Sequence, residues 1–142
     1  MARTLRTLGM AFTAAAMLLA GTSVSAKPRL TGEERLAKLL EGRVAGEPVD
    51  CISTVVNKSS QVIDKTAIVY GSGRTIYVQR PRSGASSLDS DDVLVTRLTS
   101  PELCSIDTVQ LHDRGVGHFW KGFVGLDKFV PYTRPAKVAA AR

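Results

Sequence analysis

The chain is poor in the residues that do chemistry: its 142 positions hold two histidines, two cysteines and one tryptophan, and aromatics make up only 6%. Zinc asks for three or four ligands in tetrahedral array, and hydrolysis asks for a nucleophile and an oxyanion site besides a base. No segment supplies such a set, so no catalytic residue is assigned and no cofactor is implied. The stretch "YGSGRT" has the glycine content of a phosphate loop, but its spacing is too short and no Lys-Ser/Thr pair or helix start follows. No internal repeat is visible. After residue 26 no apolar run approaches the roughly 20 residues that cross hydrocarbon, so no integral span is expected there.

What is present begins with "MARTLRTLGMAFTAAAMLLAGTSVSAKPR". Arg3 and Arg6 precede an uncharged run from Leu8 to Ala20, and small residues follow. This order is that of a secretory signal peptide, with Val24 and Ala26 as the small residues before a cut between Ala26 and Lys27. Retention as a membrane anchor is the alternative. Its apolar core is short for that, and Gly9, Thr13 and Gly21 dilute it. The expected location is therefore periplasmic or secreted. Cleavage would remove two arginines and no acid, taking the formal charge from +6 to +4 and leaving 116 residues, enough for one domain. A mild basic excess permits weak attraction to polyanions and demonstrates none.

Export decides how Cys51 and Cys104 read. An oxidising compartment and an even count favour a disulfide over a reactive thiol or a metal ligand. The flanks of Cys104, "SPEL" and "SID", also offer no base or cation to make thiolate. A bridge across 53 positions would stabilise the fold by up to about 4 kcal/mol through the denatured chain.

Along the mature chain, residues 27–45 form a lead-in and an amphipathic helix, "TGEERLAKLLEG". Thr31 and Glu34 make a capping box, Gly42 is the stop, and Leu36, Leu39 and Leu40 share one face. Residues 46–132 then alternate short β-rich runs with turns: "VDCISTVV", "QVIDKTAIVY", "RTIYVQR", "DDVLVTRL", "CSIDTVQLHD", "VGHFWKGFVGL" and "KFVPY". The pattern predicts a mainly β fold, a small antiparallel barrel or sandwich of about six strands with the one N-terminal helix packed across it. Residues 133–142 read as a basic, flexible tail.

The stretches "GEPVDCI", "TIYVQRPRSGASSLDSDDVLVTR", "LCSIDTVQLHD" and "GFVGLDKFVPY" resemble those of a family of small exported bacterial proteins of unassigned function. The match runs from Gly46 to Tyr132 and follows a Leu-x-x-Asp-Asp turn, a Leu-Cys-x-x-Asp segment and a closing Phe-x-Pro-Tyr. Gln79 stands where the family pattern has Asn, and Ala85 and Val124 where members carry additional cysteines. The resemblance implies export and a bridged β domain, and it carries no catalytic assignment.

Four clusters invite a function. His112, Asp113 and His118 would lie near one another across a hairpin, raising a metal-assisted hydrolase. The bland account is two strand ends in solvent. Asp89, Asp91 and Asp92 suggest calcium, but the sixth and twelfth positions from Asp89 are Leu94 and Ser100, not the Gly and Glu of an EF-hand. A turn whose carboxylates accept backbone N–H groups fits better. Arg74, Arg80, Arg82 and Arg97, with Tyr70 and Tyr77, would make a basic face for an anionic envelope polymer, or serve as solvated residues guarding strand edges. Export argues against nucleic acid. Phe119, Trp120 and Phe123 read as core and rim. The favoured reading is a non-enzymatic binding or structural module of the bacterial cell envelope, whose partner is an envelope component the sequence does not name.

Overall fold

The computed structural model describes residues 29–136. The expected signal peptide, its cleavage point at Ala26 and Lys27, and most of the expected tail lie outside the described residues.

Helix α1 spans Gly32–Leu40, and its start follows from the local sequence. The Thr31 hydroxyl accepts the Glu34 N–H while the Glu34 carboxylate takes the Thr31 N–H, 2.7 Å away, satisfying two donors that a helix start leaves open. Glu41 ends the helix, and Gly42 follows at φ +71°, a left-handed geometry glycine adopts without strain. Leu36 is buried, with Leu39 and Leu40 half-buried beside it.

Ten strands follow: β1 (Val44–Ala45), β2 (Cys51–Ser53), β3 (Ser60–Ile63), β4 (Ala67–Tyr70), β5 (Thr75–Gln79), β6 (Val93–Val95), β7 (Glu102–Cys104), β8 (Thr108–His112), β9 (Trp120–Gly125) and β10 (Phe129–Thr133). They form three antiparallel sheets, β1-β10-β5-β4-β3, β2-β7 and β6-β8-β9. None closes into a barrel, so that part of the expectation is corrected: β1 and β3 remain open edges of the five-stranded sheet. The two cover sheets are joined to their neighbours by isolated bridges, Val49 to Phe129 and Ser83 to Gly125.

The strand count exceeds the expected six partly because two runs contain turns, and partly because Val44–Ala45, expected to belong to the lead-in and helix segment, forms β1 against β10. "QVIDKTAIVY" folds back on itself as the β3–β4 hairpin, with Lys65 at φ +53° in the three-residue connection. Arg35 and the Ser90 N–H hold the Asp64 carboxylate there. "CSIDTVQLHD" likewise holds the end of β7, a turn and β8. At the other end, Thr133 belongs to β10 and Arg134 N–H donates to the Arg74 carbonyl, so the tail begins later than expected.

The five-stranded sheet is apolar on both faces. Ile63, Ala67, Val69, Ile76 and Val78 pack under Leu36 of the helix. On the opposite face Val62, Ile68, Tyr70 and Phe129 meet Ile52 and Leu103 of β2–β7 and Val109, Leu111 and Val124 of the three-stranded sheet. Tyr70 and Phe129 meet edge to face, 5.8 Å between centroids, and burial pushes the Tyr70 phenol pKa up. All four residues of β4 are buried; a central strand covered twice loses the alternation a one-sided strand would show.

Cys51 and Cys104 are directly opposed in the β2–β7 pair and are disulfide-bonded, with Cα atoms 4.0 Å apart. The Ser105 N–H donates to the Asp50 carbonyl on one side of the pair, so the cysteines fill a position where no ladder bond intervenes and the strands come closest. The Cys104 N–H points away and donates to the Asp107 carboxylate. The bridge is compatible with an oxidising, extracytoplasmic location.

Two outcomes follow. Reduction, or Cys51→Ala with Cys104→Ala, should destabilise the fold by about 2–4 kcal/mol, lowering the thermal midpoint by roughly 10 °C or more; an unchanged midpoint would mean that the bridge does not staple the two strands. Gly32→Ala should cost about 1–3 kcal/mol in denaturant titration, because a Cβ there would meet the Asp64 carbonyl and the Thr66 hydroxyl well inside contact distance.

Candidate functional site

The hairpin joining β8 to β9 collects the side chains the rest of the molecule does not use. Its inner face is core: Val109, Leu111 and Val124 are fully buried. Strict alternation back from Val124 would send Phe123 out, Gly122 in, Lys121 out and Trp120 in. The observed register departs from this, since Leu111 faces Gly122 but His112 faces Trp120, leaving Lys121 as the extra residue of a β-bulge. Gly122 sits at φ +147°, where a side chain would be strained. The bulge turns Trp120 to the outer face.

The outer face and turn are consequently apolar and aromatic. Val116 is 100% exposed, Phe119 72%, Trp120 61% and Phe123 57%. Phe123 lies opposite Gln110, which lies opposite Val95; Trp120 lies opposite His112, which lies opposite Val93. The expectation that Phe119, Trp120 and Phe123 are core and rim is thus corrected. The signal that exposes them is the glycine at 122, which breaks the period.

The turn is held by its own polar groups. The Asp113 N–H donates to the Phe119 carbonyl, and the Asp113 carboxylate accepts from the Gly115 N–H. His112 Nδ1 donates to the His118 carbonyl at 2.8 Å, and His118 Nδ1 to the Asp113 carbonyl at 3.2 Å. Gly117 at φ +98° and His118 at φ +44° complete the reversal. His112, Asp113 and His118 are therefore neighbours, but both imidazole Nδ1 atoms bind main chain and His112 Nε2 faces the Gln110 side chain, so the three do not converge. Among the described residues one group of three metal-ligand types lies close together, Cys51, Glu102 and Cys104, and both of its sulfurs are consumed by the disulfide.

Below the turn, Lys121 reaches the carboxylate of Asp92, whose side chain is fully buried, at 2.5 Å. The hydrogen bond Lys121 donates to Asp92, with the nearby charges of Asp92, Asp89 and Asp113, raises the Lys121 pKa against its own slight desolvation. The second Asp92 oxygen accepts the Asp89 N–H, and Asp89 accepts the Asp91 N–H. Asp92 and Asp89 are thus occupied as turn and anchor groups.

A cleft of about 580 Å³ lies alongside, lined by Arg35, Gln61, Ser90, Asp92 and Arg114 among others. Its charged groups are largely paired: Arg35 with Asp64 and Asp92 with Lys121. Desolvation alone would raise the Asp64 carboxyl, but hydrogen bonds from Ser90 and the charge of Arg35 outweigh it and hold the pKa below its ordinary value.

The arginines singled out in the sequence do not share a face. Arg80 is bound through both terminal nitrogens to Glu33 of the helix, at 2.6 and 2.8 Å. Arg74 sits in the β4–β5 turn and donates to the Arg134 carbonyl. Arg82 follows β5, its N–H on the Gly125 carbonyl, and Arg97 is exposed beyond β6. Tyr70 is core and Tyr77 is half-buried against it. Residues 29–136 carry 14 Lys and Arg against 13 Asp and Glu, so the folded body is close to neutral. Arg43, which the sequence does not single out, instead ties the end of the sheet together through the Arg74, Tyr132 and Gly73 carbonyls.

Comparison with family models, with curated proteins and with solved structures finds no match to this chain.

Lys121→Met should destabilise the fold by about 1–3 kcal/mol, since it strands the buried Asp92 carboxylate; Asp92→Asn in the same background should recover part of that loss in chemical denaturation. The depressed pKa of Asp64 means that its contribution is full above the ordinary value of 3.8 and is lost as pH falls through the lower, folded-state value. Asp64→Asn should therefore flatten the acid limb of the stability profile below about pH 4, and an unaltered limb would remove Asp64 from that role.

Proposed function

We propose that the chain is an exported, non-enzymatic module that binds a component of the bacterial cell envelope through the outer face and turn of the β8–β9 hairpin. The observation that carries this is the placement of Phe119, Trp120, Phe123 and Val116 in water, on a hairpin whose other face is fully buried core. Apolar side chains grouped and exposed in this way mark interaction surfaces more often than scattered ones do. Export is supported by the leader-like grammar of residues 1–26 and by compatibility of the Cys51–Cys104 bridge with an oxidising space.

No helix among the described residues is long and apolar enough to cross a membrane; the attachment proposed is through the exposed side chains of the hairpin. The layered sheets read as an open sandwich, which leaves the β6-β8-β9 outer face free to bind. Kinship with the small exported proteins of unassigned function belongs to the same proposal and rests on the four matching stretches between Gly46 and Tyr132. A metal-assisted hydrolase built on His112, Asp113 and His118 lacks a convergent ligand set, and a basic-faced polyanion binder lacks a shared arginine face.

Fractionation of producing cells tests the reading. The exported chain, beginning at Lys27 by mass spectrometry, should sediment with the envelope, and the triple substitution Phe119→Ser, Trp120→Ser, Phe123→Ser should move it to the soluble fraction. Recovery of the unsubstituted chain in the soluble fraction would overturn envelope binding; retention of residues 1–26 would overturn cleavage.

A further inference from the structure

The binding reading leaves open what the aromatic hairpin touches, and the patch itself narrows the choice. A fully covered aromatic side chain buries roughly 150–250 Å², so three that are 57–72% exposed offer on the order of 400 Å² together. Stable protein complexes take about 800 Å² from each partner. The hairpin is therefore small for a second copy or a globular protein. A sugar chain would need free polar groups beside the rings, yet Gln110 and His112, the polar residues directly opposite Phe123 and Trp120, stand 3.4 Å from each other and His112 is already bound to the turn, while Thr108 lies at the far end of β8.

A lipid surface makes neither demand. It accepts a few projecting apolar groups at no minimum area, and Trp is favoured at the headgroup level, where an apolar ring and an N–H both find partners. Val116 at the apex, completely exposed, and Phe119 beside it suit the acyl side of that boundary. The main-chain groups of Asp113, Gly115 and His118 and the Phe119 carbonyl are bound within the turn, which lowers the cost of leaving water for that part of it. Charge adds little: Arg114 is offset by Asp113, and Lys121 is paired with Asp92.

Resting on the envelope-binding reading, we infer that the β8–β9 hairpin inserts its aromatic tip into the headgroup region of a lipid bilayer, driven by apolar burial and not by charge. The exposed valine and isoleucine elsewhere are not part of this tip. Val55 and Val56 follow β2, and Ile106 sits in the β7–β8 turn at the opposite end of β8.

Trp120 is the only tryptophan in the chain, so its fluorescence reports on the hairpin alone. The exported chain, disulfide intact and lacking residues 1–26, would be mixed with phosphatidylcholine–phosphatidylethanolamine vesicles, with and without phosphatidylglycerol. The expected result is flotation with both vesicle types and a blue shift of Trp120 emission, each changing little between low and high salt. Phe119→Ser with Phe123→Ser, both on exposed positions and sparing the reporter, should abolish flotation and the shift. No flotation, binding only to phosphatidylglycerol vesicles that salt removes, or undiminished binding by the double variant would each overturn the inference. Envelope sedimentation that depends on the aromatics without vesicle binding would overturn the bilayer alone and leave the binding reading standing; loss of both would overturn both.

Discussion

A five-stranded sheet whose two faces are both apolar has to be covered twice, and the rest of the molecule is arranged to do so. One cover is a nine-residue helix, too short to be stable alone in water, docked by Leu36 and fixed at its start by a capping box. The other is two small sheets lying over Ile68, Tyr70 and Phe129. A two-stranded sheet is marginal by itself, and the Cys51–Cys104 bridge supplies the constraint that β2–β7 lacks in area. The covalent link is thus part of the core's architecture, although the sulfurs lie near the surface.

The second cover determines where the candidate site lies. Sheet β6-β8-β9 has one face committed to the core, so whatever its other face carries meets solvent. Most such faces are polar. Here a single bulge at Lys121 and Gly122 places Trp120 beside Phe123 on the outer side and sends the lysine toward a buried aspartate. The same local irregularity creates the exposed patch and anchors the strand beneath it. A ladder without the bulge would bury the tryptophan and leave Asp92 without its cation.

Much of the fold was legible because it rests on near-neighbour rules. Thr31 and Glu34 announce a helix start and Gly42 its stop. The turn inside "QVIDKTAIVY" was hidden because Asp64, Lys65 and Thr66 resemble a continued strand; distant Arg35 and Ser90 hold the reversal. The arginine face dissolved for a similar reason, since Arg80 is claimed by Glu33, 47 positions away.

By itself the sequence determined the class of the protein: mainly β, one amphipathic helix, a leader-like beginning, and a cysteine pair whose even count favours bridging. These depend on composition, period and spacing along the chain. Only the tertiary structure decided which sheet receives two covers, that no barrel closes, and that three aromatics stand outside the core. Those outcomes depend on register between strands far apart in sequence, where one extra residue reverses every side chain beyond it.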